Sequence, residues 1–238
     1  MIGRYVLAAL FAGLLSGAVL TVLQVWRLSP LIAAAEIYEK ADDGASVAPC
    51  KESRPDMKMC ASNGTPEWEP APGLPRVGFT GVASLLAGGG FAAILAGLSL
   101  LLNVPITRAN GWIWGLSGFL AVHLATGFSL APEIPGMPVA DLLARQTWWV
   151  STVVATGGAI YCFAILRENW AKAVGVALLF APHLIGAPIA PEGETLVPPA
   201  LAAEFAASAL AAAAIFWLLM GVLLGRFLPS ISERLDPS

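Results

Sequence analysis

The sequence predicts an all-α fold: a polytopic membrane helix bundle of about six transmembrane helices. Three observations predict it: 57% of the 238 residues are hydrophobic, only 12% are charged, and the charges gather between long apolar runs. A soluble domain typically carries about 25% charged residues. Lipid offers no hydrogen bonds to the backbone, so apolar runs of membrane-spanning length indicate helices. We therefore interpret residues 1–238 as a single integral membrane domain.

Six apolar runs approach the roughly 20 residues that a helix needs to cross about 30 Å of hydrocarbon. The first run is longer than the apolar core of a signal peptide, so we expect a retained helix. The fifth run is the shortest and contains Pro182 and Gly186. The expected helices cover residues 4–26, 77–102, 111–130, 147–166, 172–187 and 200–225.

The distribution of basic residues predicts that both termini are cytoplasmic. In that orientation the two short outside loops contain only Arg145, which agrees with the positive-inside rule. Residues 27–76 then form an extracytoplasmic loop, in which "LIAAAEIYEKADD" predicts a short amphipathic helix. This loop is also basic, but its length approaches that at which loop charge stops deciding topology. Most acidic residues lie at the outer side, where they would concentrate cations.

Two stretches of the sequence resemble each other. "HLATGFSLAPE" begins at His123, and "HLIGAPIAPE" begins at His183. Each is followed by a proline-containing loop and a returning helix. The third and fourth helices are therefore predicted to repeat the hairpin of the fifth and sixth.

A weaker sequence similarity extends to the first two helices. It aligns Arg76 with Arg145, because both precede glycines by twelve residues. The same alignment places Gln24 and Glu36 where the later hairpins have His and Glu. Transporters are often built from such repeats, with the binding site at the interface between them.

Both histidines of the chain lie in apolar runs. Imidazole is the commonest metal-ligating side chain and suits borderline divalent metals. Ionisable residues within membrane spans are functional candidates by default. The alternative is a neutral histidine that hydrogen-bonds a carbonyl for helix packing. The matched sequences and depths of His123 and His183 favour a metal site, with Glu133 and Glu204 as further ligand candidates.

Other polar features accompany these candidates. Pro182 frees the carbonyl of Leu178, which either ligates an ion or merely marks a kink. Glu204 is the one carboxylate within the apolar pattern of the sixth helix, and it is a ligand, a proton acceptor or a partner of Arg145. Asp141 belongs to the outer acidic residues, which are either ion-attracting groups or solvated loop charges.

Cys50 and Cys60 lie in the first loop. A disulfide is predicted because such a loop faces an oxidising compartment, and a soft-metal capture site is the alternative. The pair also allows a membrane thiol oxidoreductase, although Cys162 alone cannot supply the second reactive pair. We expect no enzyme, since the sequence has no G-x-x-x-x-G-K-[ST], G-x-S-x-G or H-E-x-x-H motif. A net charge of −3 also argues against nucleic acid as a partner.

Three stretches, "LAPEIPGMPVADLLARQTWWVST", "FAPHLIGAP" and "VPPALAAEFAASAL", resemble the CbtA family, predicted cobalt transporter subunits of bacteria. The resemblance extends from the first helix to about residue 225 and leaves out the first loop. It implies a multi-pass inner-membrane protein that imports Co²⁺ for cobalamin-dependent metabolism and has no permanent cofactor. It also implies a very small one-helix partner with a histidine-rich tail. A non-transporting scaffold for a partner permease is the alternative function.

Overall fold

The structure is a computed structural model that describes residues 2–46, 70–71, 73–191, 193 and 195–228, in which all regular elements are helical. The all-α prediction is therefore confirmed. Two π-helical segments, Gln24–Leu28 and Leu120–Leu124, join α1 to α2 and α4 to α5. The α-helices are α1 (Ile2–Leu23), α2 (Ser29–Ser46), α3 (Leu74–Leu101), α4 (Gly111–Phe119), α5 (Ala125–Ser129), α6 (Leu142–Ala164), α7 (Asn169–Ile185) and α8 (Pro199–Phe227).

Three helical stretches of the described chain are long and apolar enough to cross a membrane: Ile2–Lys40, Leu74–Leu101 and Pro199–Phe227. The other predicted spans are also helical but differ from these. The second π segment divides the third span, hydroxyl and glycine residues reduce the apolar content of α6, and α7 has only 17 residues. The chain is a membrane helix bundle, while the number of six crossings stays a prediction.

The first helix does not end near residue 26 as the sequence predicted. It continues through the first π segment into α2, so the predicted amphipathic helix is part of one long rod rather than of a separate loop. Pro30 lacks an N–H group and crowds the carbonyl four residues earlier, which a widened π turn accommodates. The burial of Leu28, Leu31 and Ala35 stabilises the extension.

Among the described helices, α1 packs against α3 and α8, α8 packs against α4, and α6 packs against α7. In addition, Phe91 of α3 reaches Trp217 of α8, with ring centroids 4.9 Å apart. The predicted hairpins do not pack alike. The second π segment and α5 contact α6, whereas α7 packs against α6 and has at most slight contacts with α8. The two predicted hairpins are therefore similar in sequence but have different packing partners.

Glycines bring two helix pairs into backbone contact. A Cβ atom on Gly13 or Gly88 would overlap the backbone oxygen of the other residue, at the crossing of α1 and α3. Gly111 and Gly221 meet in the same way where α4 crosses α8. Small residues permit such close approach in membrane helix pairs.

The two ends of the bundle differ in what they contain. Phe11 of α1 contacts Phe227 of α8, with ring centroids 5.2 Å apart, so both terminal helices reach the same end. We call this end the termini end. At the opposite end, α2 and the start of α8 bury Ile134 and Val197 from the two nearby loops. The candidate site lies beside this second cluster.

Candidate functional site

The opposite end of the bundle brings three helix termini together. Helix α5 ends at Ser129, α6 begins after Asp141, and α7 ends at Ile185 before Gly186. The Oδ1 atom of Asp141 accepts a hydrogen bond of 2.9 Å from the backbone N–H of Ala144. Asp141 therefore acts as the N-cap of α6.

His183 lies between α5 and α6 at this end. Its Nδ1 atom is 2.8 Å from the Oγ atom of Ser129. The ring has edge contacts with Phe128 and Trp148, at centroid distances of 5.5 and 6.2 Å. The indole N–H of Trp148 donates to the carbonyl oxygen of Pro182, 3.3 Å away. Two neighbouring helices thus fix the orientation of this half-buried imidazole.

The bond to Ser129 permits His183 to bind a metal ion. A hydroxyl group is both donor and acceptor, so Nδ1–H of His183 can donate to Oγ of Ser129. The lone pair of Nε2 is then available. Metal-ligating histidines commonly donate their other ring N–H to a neighbouring acceptor in this way.

Glu133 and Arg145 form an ion pair between the two segments whose Ser129 and Trp148 contact His183. Oε2 of Glu133 is 2.6 Å from Nη2 of Arg145, and the two side chains are 19% and 29% exposed. The pair joins the loop after α5 to the first turns of α6. Sequence analysis allowed Glu204 as a partner of Arg145, but Arg145 pairs with Glu133 instead.

His123 lies in the second π segment, and its Nδ1 atom accepts a hydrogen bond of 3.0 Å from the indole N–H of Trp217. An indole N–H can only donate. The Nδ1 atom of His123 is therefore unprotonated, and a neutral ring carries its proton on Nε2. In this arrangement neither nitrogen offers a lone pair to a metal ion.

Glu204 is held on another side of the bundle. Its Oε1 atom is 2.6 Å from Nη2 of Arg27, and each side chain is 48% exposed. Nε of Arg27 also donates to Oγ of Ser208, 3.2 Å away. These contacts tie α8 to the first π segment.

Gln24 lies in the first π segment and joins α1 to α3. Oγ of Ser84 donates to Oε1 of Gln24 over 2.7 Å. These two residues line a cavity of about 400 Å³ together with Ser29, Thr80 and apolar side chains. Gln24 thus contributes to helix packing and not to the surroundings of His183.

The predicted ligands His123, His183, Glu133 and Glu204 do not form one cluster. Across residues 2–46, 70–71, 73–191, 193 and 195–228, no three His, Cys, Asp or Glu side chains are grouped closely enough to hold a metal ion together. Their metal-binding role stays a prediction, with His183 as the best-placed ligand. Cys50 and Cys60 lie outside the described residues.

The weaker sequence similarity between the first two helices and the later hairpins has a structural counterpart. Glu36 and Arg76 form an ion pair of 2.6 Å, as Glu133 and Arg145 do. Both arginines were aligned by sequence, and each glutamate belongs to the preceding helix or the loop after it. Gln24 also matches His123 in lying within a π segment.

Sequence reasoning missed the polar partners that orient the histidines. Ser129 carries no metal-binding signal, and tryptophans such as Trp148 and Trp217 are common in membrane proteins whatever their role. One signal was available, because a buried indole N–H normally finds an acceptor. The apolar runs also contain many serine and threonine hydroxyls, so this signal did not single out the histidines as acceptors.

Comparison with known families gives one match over most of the chain. The family model described as "Probable cobalt transporter subunit (CbtA)" matches residues 2–229. Comparison with curated proteins finds no match, and comparison with solved structures finds none either. The match covers all the helices and every candidate site residue described above.

Proposed function

Because the chain belongs to the CbtA family of probable cobalt transporter subunits, we propose that it imports Co²⁺ across the bacterial inner membrane. The imported ion would supply cobalamin-dependent metabolism. The metal is the transported substrate and not a resident cofactor. In this proposal the termini end faces the cytoplasm, and His183 is near the outer surface.

The arrangement of His183 and Ser129 carries the proposal. The imidazole is near the C-terminal end of α7, and Ser129 and Trp148 orient it from two helices. Its Nε2 atom can replace a water molecule in the hydration shell of an arriving cation. Imidazole is a suitable ligand for Co²⁺ and related borderline metals.

The membrane potential can drive such uptake. A charge entering an inside-negative cell gains about 2.3 kcal/mol per 100 mV, so a divalent cation gains about 4.6 kcal/mol. At tenfold per 1.4 kcal/mol, this corresponds to a concentration ratio of more than about a thousandfold. Hydrolysis of ATP is therefore not required.

The description of the family as a subunit implies a further component. We expect a small one-helix membrane partner whose histidine-rich tail captures the ion before it reaches His183. The chain would supply the membrane path and the partner the capture step.

Metal accumulation in cells tests the function. Cells that lack other cobalt importers should accumulate Co²⁺ when they express the wild-type chain and its partner, and much less with His183→Ala. Leu184→Ala is the matched control, since this neighbouring side chain on α7 is 84% exposed and should leave uptake unchanged. Membrane abundance is measured for each variant. Equal uptake by the His183→Ala variant would contradict the role of His183.

A non-transporting scaffold is the second candidate, favoured by the lack of a three-ligand metal cluster in the described residues. Proteoliposomes with an imposed inside-negative potential distinguish the two functions. Co²⁺ entry through the purified chain, alone or with its partner, that is lost in His183→Ala supports transport by this chain. Flux that requires the partner and is unaffected by His183→Ala supports the scaffold.

A further inference from the structure

The ion pair of Glu133 and Arg145 is incompletely satisfied. It has a single short contact, from Nη2 of Arg145 to Oε2 of Glu133. The Nε–H group of Arg145 is buried, and no described residue accepts a hydrogen bond from it. A bidentate pair would use two parallel N–H groups of the guanidinium. The contact is therefore less favourable than the best arrangement of an arginine and a carboxylate.

Both members of the pair belong to segments that also contact His183. Glu133 follows Ser129 by four residues, and Ser129 is hydrogen-bonded to the imidazole. Arg145 precedes Trp148 by three residues on α6, and residues with this spacing share a helix face. The ring of Trp148 contacts His183 at 6.2 Å. The ion pair therefore joins the same two segments that hold the imidazole of His183 in place.

We propose that this ion pair is a latch that a divalent cation releases. Glu133 would leave Arg145 and bind the cation at His183, so that loop and α6 separate as the ion enters. A divalent cation offers twice the charge of the guanidinium, whereas a monovalent cation offers no gain over it. Glu133 and Arg145 would thereby favour divalent over monovalent ions. The inference rests on the proposed function, in which Co²⁺ reaches His183.

The corresponding pair near α2 provides a built-in comparison. Glu36 and Arg76 are also 2.6 Å apart, with side chains 22% and 32% exposed. His183 contacts α5 and α6, and His123 contacts α8, so the described contacts of both imidazoles are with other elements. The Glu36–Arg76 pair should therefore hold α2 to α3 whether or not a metal ion is bound.

Equilibrium binding of Co²⁺ to the purified, detergent-solubilised chain tests the latch, because the two variants should change affinity in opposite directions. Arg145→Gln removes the competitor of the ion and should tighten binding about tenfold, within the usual range of coupling between two sites. Glu133→Gln removes a ligand and should weaken binding about tenfold. The double variant should bind like Glu133→Gln, and Arg76→Gln should bind like the wild type.

Arg145→Lys keeps the positive charge and should bind Co²⁺ nearly as the wild type does. Weaker or unchanged binding by an Arg145→Gln variant with normal thermal unfolding would overturn the latch. Tightening by Arg145→Lys equal to that by Arg145→Gln would overturn it as well. If the wild-type chain with its partner neither binds nor transports Co²⁺, the proposed function itself fails, which is a distinguishable result.

A measurement on the wild-type chain avoids any folding defect of the variants. Phenylglyoxal modifies accessible arginines, and mass spectrometry reports the extent at each position. Co²⁺ should increase modification of Arg145 but not of Arg76, and Na⁺ should change neither. Unchanged modification of Arg145 at saturating Co²⁺ would overturn the latch.

Discussion

Trp217 is 2% exposed, and the indole N–H group is the only hydrogen-bond donor of its side chain. His123 accepts this hydrogen bond from the second π segment. A buried donor left without an acceptor costs about 1–3 kcal/mol. The imidazole of His123 therefore stabilises the contact of the second π segment with α8 independently of any metal ion.

This contact predicts different effects for two substitutions of His123. In His123→Asn the Oδ1 atom is attached to Cγ, as Nδ1 is in histidine, so it can still accept from Trp217. His123→Ala leaves the indole unpaired and should destabilise the chain by about 1–3 kcal/mol. Thermal unfolding and Co²⁺ uptake are measured for both. We expect His123→Asn to retain most of the stability and the uptake.

The control for this experiment removes the donor. Trp217→Phe has no indole N–H, so adding His123→Ala to it should cost much less than His123→Ala does in the wild type. A stable His123→Asn variant without uptake would instead identify His123 as a metal ligand.

At the scale of helices, the contact of α1 with α3 depends on glycines that have no room for a methyl group. In Gly88→Ala the new Cβ atom would overlap the backbone oxygen of Gly13. Overpacking of this kind costs about 1–3 kcal/mol. Gly90→Ala on the same helix meets no atom within 4 Å and should stabilise the helix by up to about 1 kcal/mol.

Thermal unfolding in detergent measures both glycine variants. The expected result is a lower midpoint for Gly88→Ala and an unchanged or higher midpoint for Gly90→Ala. Equal midpoints for the two variants would show that α1 and α3 do not approach as closely as described.

The sequence predicted the helical regions better than their ends. Apolar length predicted a first span over residues 4–26, but the helix continues past Arg27 and Pro30 to Ser46. The helix continues because Leu31 and Ala35 are buried against the loops and α8, a long-range contact that no local pattern reveals. The second π segment was also unpredictable, since local composition does not mark it. The hydroxyl of Thr126 in α5 donates to the carbonyl oxygen of Val122 in that segment.

At the scale of the whole molecule, the order of neighbouring helices did not follow from the sequence. Apolar faces rich in Ala, Leu and Gly resemble one another, so the pairing of α8 with α1 and α4 rests on three-dimensional fit. The partners in the ion pairs were also not predictable from the sequence. Arg27 and Glu204 are 177 residues apart in sequence, yet they form an ion pair. Of the candidate site, the sequence identified His183, Glu133 and Arg145, but not their mutual arrangement.

From the exposed position of Glu204 we predict that replacing this side chain has little effect on transport. Its partner is Arg27, and both side chains are about half exposed, so their ion pair contributes less than about 1 kcal/mol. Glu204→Gln should therefore leave Co²⁺ uptake within about twofold of the wild type and leave thermal stability nearly unchanged. Arg27→Gln is the matched variant and should behave alike. Uptake abolished by Glu204→Gln but kept by Arg27→Gln would make Glu204 a ligand after all.

The backbone contact of α4 with α8 also restricts where an ion can travel. At Gly111 and Gly221 even a methyl group would overlap a carbonyl oxygen, so neither water nor a hydrated cation can pass between the two helices at this crossing. Helix α6, whose Trp148 contacts His183, has a different character. There the side chains of Thr152 and Thr156 are buried one helical turn apart, so that flank carries hydroxyl groups where the seam of α4 and α8 has glycines.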